Sequence, residues 1–93
     1  MDASTLAQIL EAADGVTGGE SRYEVADDHR ATFYLGRPGQ AMEAREVHTI
    51  ELGEGFVAIT RREDEGTLYA PVESVAALHV RRAKTEEGRR TGF

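Results

Sequence analysis

Two pairs of adjacent arginines are the residues of this chain best suited to chemistry. Arg61-Arg62 closes the apolar run Phe56 to Thr60, and Arg81-Arg82 closes Val75 to Val80. A guanidinium presents a planar fork of donors that matches the oxygens of a phosphate or carboxylate. If one antiparallel strand separates the two runs, they point the same way, and both pairs emerge at one end of the sheet. The expected site is therefore a donor cluster of Arg61, Arg62, Arg81 and Arg82 for a small anionic ligand or an acidic protein partner. The competing arrangement leaves these arginines solvated and neutralised by Glu63, Asp64, Glu65, Glu86 and Glu87, because exposed ion pairs contribute little.

The remaining reactive side chains form no comparable group. His29, His48 and His79 lie some twenty or thirty residues apart without the spacing that builds a shared metal site, so no metal is expected. His48 falls on the apolar side of an alternating segment, which suits a core or subunit contact that mild acid would loosen. Ser74 sits in a turn without a Gly-x-Ser-x-Gly elbow, and Glu63 and Glu65 lie in a hydrophilic loop where nothing raises a pKa. The segment Gly-Val-Thr-Gly-Gly-Glu follows a helical pattern and is not closed by Gly-Lys-Ser/Thr, so it is no phosphate loop. Neither an enzyme nor a cofactor is expected.

Charge and composition narrow the partners. The 93 residues carry a net charge of −6, with 40% hydrophobic and 30% charged residues, which is ordinary globular usage. Residues 81 to 93 hold five basic groups against Glu86 and Glu87, a local +3, so the preceding 80 residues carry −9. An acidic body repels a polyphosphate backbone, which makes nucleic acid a poor partner. With no cysteine there are no disulfides, and so small a domain must rely on packing or on self-association, so a homo-oligomer is expected. The opening Met1-Asp2-Ala3-Ser4 shows no basic region leading into an apolar run, and no apolar stretch approaches the ~20 residues of a membrane span, so no membrane partner and a cytoplasmic location are expected.

The elements that must position the arginines follow from periodicity. Leu6, Ile9, Leu10 and Ala13 share one helical face; Ser4 or Asp2 caps the start, and Asp14-Gly15 supplies the stop. Thr17 to Glu20 reads as a flexible connector. From there the period is two. Arg22 to Ala26 and Ala31 to Arg37 flank Asp27-Asp28-His29-Arg30 as an expected β-hairpin, and Pro38-Gly39-Gln40 makes the next turn. Met42, Ala44, His48, Ile50 and Leu52 alternate with polar positions and with Val47, giving one long third strand interrupted in pattern at Glu46. Phe56 to Thr60 is apolar on both faces and expected to be central or covered by the helix. Thr67 to Ala70 ends at Pro71, a short helical turn spans Val72 to Ser74, and Val75 to Val80 forms the last strand. In the sequential pair Phe33 and Tyr34, Tyr34 takes the outward position, where a subunit or partner contact is its expected use. Residues 84 to 93 read as a disordered basic tail.

The phrase Leu68-Tyr69-Ala70-Pro71-Val72-Glu73-Ser74-Val75-Ala76-Ala77-Leu78-His79-Val80, preceded by one helix and several short strands, resembles the Sm-like group of small β-barrels, with a likeness also to SH3-like barrels. The resemblance spans most of residues 4 to 80. It implies a helix roofing a bent antiparallel sheet, rings built by pairing sheet edges, and often RNA binding. The chain departs from the RNA-binding members by lacking an Asp-Gly-Asn type loop, with Glu63, Asp64 and Glu65 in the equivalent region.

Together these features predict a single mainly β domain over residues 1–83: a short N-terminal helix, then a bent five- or six-stranded antiparallel sheet or barrel. The expected function is a non-enzymatic interaction or regulatory module that self-associates, with Tyr34 and His48 at the subunit contact, and that binds a protein or small anion at the four arginines. The alternative is an RNA-binding Sm-like ring.

Overall fold

In the computed structural model residues 1–37 and 39–83 are described. The expected tail, residues 84 to 93, and Pro38 of the expected turn lie outside them. Helix α1 spans Ala3–Ala12, with the Asp2 carboxylate accepting from the Thr5 N–H at 2.7 Å. Of the two candidate caps, Asp2 is the one that satisfies an orphan amide of the first turn. Leu6 and Leu10, one turn apart, are fully buried, while Ile9 and Ala13 are half-buried.

The rest of the chain is β. The strands are β1 Val16–Gly19, β2 Arg22–Val25, β3 His29–Leu35, β4 Met42–Ala44, β5 Val47–Leu52, β6 Phe56–Arg61, β7 Thr67–Pro71 and β8 Val75–Arg82. They form a five-stranded sheet in the order β1-β2-β5-β6-β7 and a three-stranded sheet in the order β4-β3-β8, with every pairing antiparallel. The mainly β class with one N-terminal helix is thus the observed architecture, with its strands divided between two sheets. Tyr23, Val25, Ile50, Val57 and Ile59 of the larger sheet and Ala31, Phe33, Leu35, Ala44 and Val75 of the smaller one meet in one core, to which α1 contributes Leu6 and Leu10. The strand expected at Phe56 to Thr60 to be central or covered by the helix is β6, which runs between β5 and β7 with Val57, Ala58 and Ile59 buried and Phe56 42% exposed.

Four local expectations are corrected. The supposed connector after the helix is β1, an edge strand. Glycine carries little strand signal, yet at Gly18 (φ +134°) an added Cβ would stand 2.2 Å from the Arg22 carbonyl oxygen, so the glycine is what lets β1 lie against β2. The reversal between them is the two-residue turn Glu20-Ser21, both at positive φ (54° and 77°).

The hairpin expected from Arg22 to Arg37 does not form. β2 pairs with β1 and β5, β3 pairs with β4 and β8, and the Asp27-Asp28 turn carries the chain from one sheet to the other. The long third strand is broken into β4 and β5, because Glu46 takes a left-handed φ of +59°. A β-bulge between Val47 and Thr49 then reverses the phase of alternation, since an extra residue shifts every later side chain to the other face. Val47, expected outward, is fully buried, and His48, expected on the apolar face, is half-exposed. The turn at Pro71 is as expected: a 3-10 turn over Val72–Ser74, with the Ser74 hydroxyl donating to the Pro71 carbonyl at 2.7 Å, leads into β8.

Candidate functional site

The structure divides the four arginines singled out in the sequence. β6 and β8 belong to different sheets, so no shared sheet end gathers both pairs. Arg62 turns inward, only 18% exposed, and its Nη2 donates to the carbonyls of Val25 (3.2 Å), Ala26 (2.8 Å) and His29 (3.4 Å), with Nη1 to Asp27 Oδ1 at 3.4 Å. It laces the crossing between the sheets and has little left for a ligand. Its buried Nε has no partner among the described residues. Arg61 pairs with Asp64, whose carboxyl is held below its usual range by the Gly66 N–H and by that guanidinium. Arg82 faces Asp28 at 3.5 Å across solvent. The Asp28 carboxyl lies low because His29 Nδ1 bonds it at 2.8 Å and Arg82 is near. Arg62 and Arg82 thus reach the same turn at different residues, Arg62 at Asp27 and Arg82 at Asp28.

Arg81 is different. In β8 it stands directly opposite Arg30 of β3, followed by His79 opposite Thr32 and Ala77 opposite Tyr34. Arg30, Thr32, Tyr34, His79 and Arg81, with Glu43, Arg45 and Glu46, line a hollow of about 240 Å³ on the outer face of the three-stranded sheet. Arg30 is anchored: its Nη1 donates to the carbonyls of Asp27 and His29 at 2.8 Å each, and its Nε is 3.6 Å from Glu46. Arg45 donates to Glu43 at 2.7 Å, a bond that holds the guanidinium firmly protonated.

Tyr34, expected outward, is on this face while Phe33 beside it is fully buried. His48 is elsewhere, on the five-stranded sheet, with Nε2 3.2 Å from Glu24. The two expected contact residues therefore do not share a surface. Periodicity missed Arg30 and Arg45 because their facing partners come from strands whose pairing was not foreseen. His29 and His79 occupy separate positions too, and the described residues contain no group of three acidic or histidine side chains arranged around a metal.

β8 has a second feature, its edge. Among the described residues it is the longest strand, eight residues, and pairs with β3 alone, while at its start the Val75 carbonyl accepts from the Met1 ammonium at 2.9 Å. The Ala83 N–H donates to the Asp28 carbonyl at 2.7 Å, which fixes the phase of the ladder. Residues 77, 79 and 81 turn their amides and carbonyls toward β3, and Leu78, Val80 and Arg82 turn theirs to the open side. Along that side Ile9 and Ala13 of α1 and Leu78 and Val80 of β8 line a groove of about 400 Å³. The other edges are blunted: β4 has three residues, β1 has four with two glycines, and β7 ends on Pro71. No helix among the described residues is long and apolar enough to cross a membrane. Comparison with family models, curated proteins and solved structures finds no match to this chain.

Proposed function

We propose that this protein is a non-enzymatic interaction module that self-associates by pairing β8 with β8 of a second copy. The observation that carries this reading is the open edge of β8 from Leu78 to Arg82, beyond the Val75 carbonyl that the Met1 ammonium takes up at 2.9 Å, with Leu78, Val80 and Arg82 presenting amide and carbonyl groups that no described strand takes up. A long edge without lysine or proline is a template for another strand. An antiparallel two-fold centred on His79 puts Leu78 opposite the partner's Val80 and Arg81 opposite the partner's Ala77, so apolar groups meet and the arginines avoid one another. It also covers Leu78, Val80 and Ile9, which the isolated chain leaves half-open. The chain has no disulfide and a small core, so pairing supplies burial it otherwise lacks.

The test is the mass in solution by light scattering for the natural chain and for Val80→Pro. The Val80 amide faces away from β3, so proline removes an edge donor while leaving the β3 ladder intact. The reading expects a dimer near twice 10.2 kDa and a folded monomer for the variant. A natural chain that is monomeric at every concentration, or a variant that dimerises as well as the natural chain, rules it out.

A further inference from the structure

The outer face of the five-stranded sheet is hollowed over a single small residue. Ala58 of β6 stands between Glu51 of β5 and Tyr69 of β7 across the ladder, with Phe56 and Thr60 two positions away along its own strand. Side chains two apart share a face, so this methyl group is surrounded on four sides by longer ones. Ala58 is accordingly only 9% exposed, and the space above it is a hollow of about 470 Å³.

One wall of the hollow is aromatic and held in place. A Cβ added at Gly53 would lie 2.2 Å from the Phe56 ring, so that ring rests on the backbone of the β5–β6 turn, which the Gly53 N–H closes by donating to the Phe56 carbonyl at 2.9 Å. Tyr69 leans on Phe56 at a 55° tilt and is itself 67% exposed. Its ring is thus propped from one side while most of its surface is open, which is the arrangement of a stacking platform.

The other wall is polar and electrically neutral. Arg22 and Glu51, opposite one another and 3.9 Å apart, are the two charged residues that line the hollow. They are paired, so the site has no charge in excess to hold a phosphate or another ion. A hydroxyl group both donates and accepts, so it can bridge such a pair, donating to the carboxylate and accepting from the guanidinium, and leave the pairing in place. From β5 to β7 is two strand spacings, ~10 Å. The ligand that meets both walls is therefore about one ring wide, uncharged, apolar toward Tyr69 and hydroxylated toward Arg22 and Glu51.

We infer that this face binds a neutral saccharide. A pyranose ring sits over Ala58 with its C–H face against Tyr69 and its hydroxyl groups on the Arg22–Glu51 pair. A pyranose with equatorial hydroxyls matches both walls at once, because its faces carry C–H groups and its rim carries the oxygens. The inference does not depend on dimerisation, since β8 belongs to the other sheet.

Cellobiose, sorbitol and benzyl alcohol are the probes, titrated against the full chain by calorimetry and by amide NMR shifts. Sorbitol has the hydroxyls without a ring face, and benzyl alcohol has an apolar ring without the hydroxylated rim. The expected result is saturable binding of cellobiose with shifts centred on Glu51, Ala58, Thr60 and Tyr69, and binding of the other two at least about tenfold weaker. Tyr69→Ala removes the platform and weakens cellobiose by about tenfold, and Ala58→Leu fills the hollow and abolishes binding. Both positions lie outside the shared core, and an unchanged amide spectrum away from the substituted residue establishes that each variant is folded. Thr32→Ala, on the other sheet, leaves the affinity unchanged. The proposal is overturned by no saturable binding of cellobiose up to about 10 mM, by sorbitol or benzyl alcohol binding as tightly, or by cellobiose binding that survives either Tyr69→Ala or Ala58→Leu.

Discussion

The two sheets have nearly opposite relations to their surroundings. The five-stranded sheet has blunted edges and leaves Phe56 and Tyr69 exposed on its outer face. Its edges are the glycine-containing β1 and the proline-ended β7, and its outer face is a nearly neutral lattice. Across that face Glu24, Thr49, Thr60 and Thr67 form one row, and Arg22, Glu51, Ala58 and Tyr69 form the next. The Thr49 and Thr60 hydroxyls bond each other, Arg22 faces Glu51 at 3.9 Å, and Tyr69 packs against Phe56 with ring centroids 6.1 Å apart. The three-stranded sheet has the open side of β8 from Leu78 to Arg82 and, on its outer surface, arginines that stand opposite one another across the strands. The larger sheet is the body that holds the core together and offers its surroundings a face, whereas the smaller sheet offers an edge.

This contrast is broken most severely through the core that joins the sheets. Phe33, fully buried on β3, anchors the smaller sheet to the larger. Phe33→Ala is expected to cost ~3–5 kcal/mol in urea unfolding, with both sheets lost in one transition. Separate loss of the smaller sheet alone would show that it is not part of a shared core.

Next in size is the lacing at the crossing. Arg62→Met removes a donor from three turn carbonyls and is expected to cost about 2–3 kcal/mol by the same measurement. Arg82→Ala, whose 77% exposed side chain reaches Asp28 only across solvent, leaves the midpoint within error. Equal effects of the two would erase the distinction drawn between a laced arginine and a solvated one.

A gain is expected on the closed edge. Glu20 and Ser21 occupy a two-residue turn with both φ values positive, a conformation that Asn-Gly adopts most easily. Replacing them together (E20N with S21G) is expected to stabilise by about 0.5–1 kcal/mol without altering oligomeric mass.

The smallest effect is acid sensitivity. The carboxyls of Asp2, Asp28 and Asp64 are all held low, by the Thr5 amide, by His29 and by the Gly66 amide respectively. A lowered folded pKa gives stability that is present above the ordinary carboxylate pKa and lost as pH falls through the folded value. Thermal midpoints are therefore expected to hold steady from neutrality toward pH 5 and to decline below about pH 4. Asp2→Asn is expected to reduce the steepness of that decline.

What the sequence revealed depended on how strongly period and side-chain type agree. The amphipathic helix, the buried β6, the inward Phe33 and outward Tyr34, and the Pro71 turn were all legible, because each rests on a local pattern that tertiary packing reinforces. β1 was missed because Val16 is its one inward apolar residue and Thr17 with two glycines fills the rest. The alternation falters at Glu46 without revealing a strand break, and the bulge at His48 leaves no mark in it, yet together they exchange the environments of Val47 and His48. The arginine site was the least legible part. Arg61, Arg62, Arg81 and Arg82 are alike as strand-end residues, and only the path of the Asp27-Asp28 turn decides that Arg62 is consumed by carbonyls while Arg81 faces Arg30.

Amide hydrogen exchange at Leu78, Val80 and Arg82, followed as protein concentration is raised, measures pairing along the β8 edge directly. Protection of these three amides is expected to grow with concentration while those of Ala77, His79 and Arg81, already bonded to β3, stay constant. Exchange at all six that is independent of concentration would contradict the account.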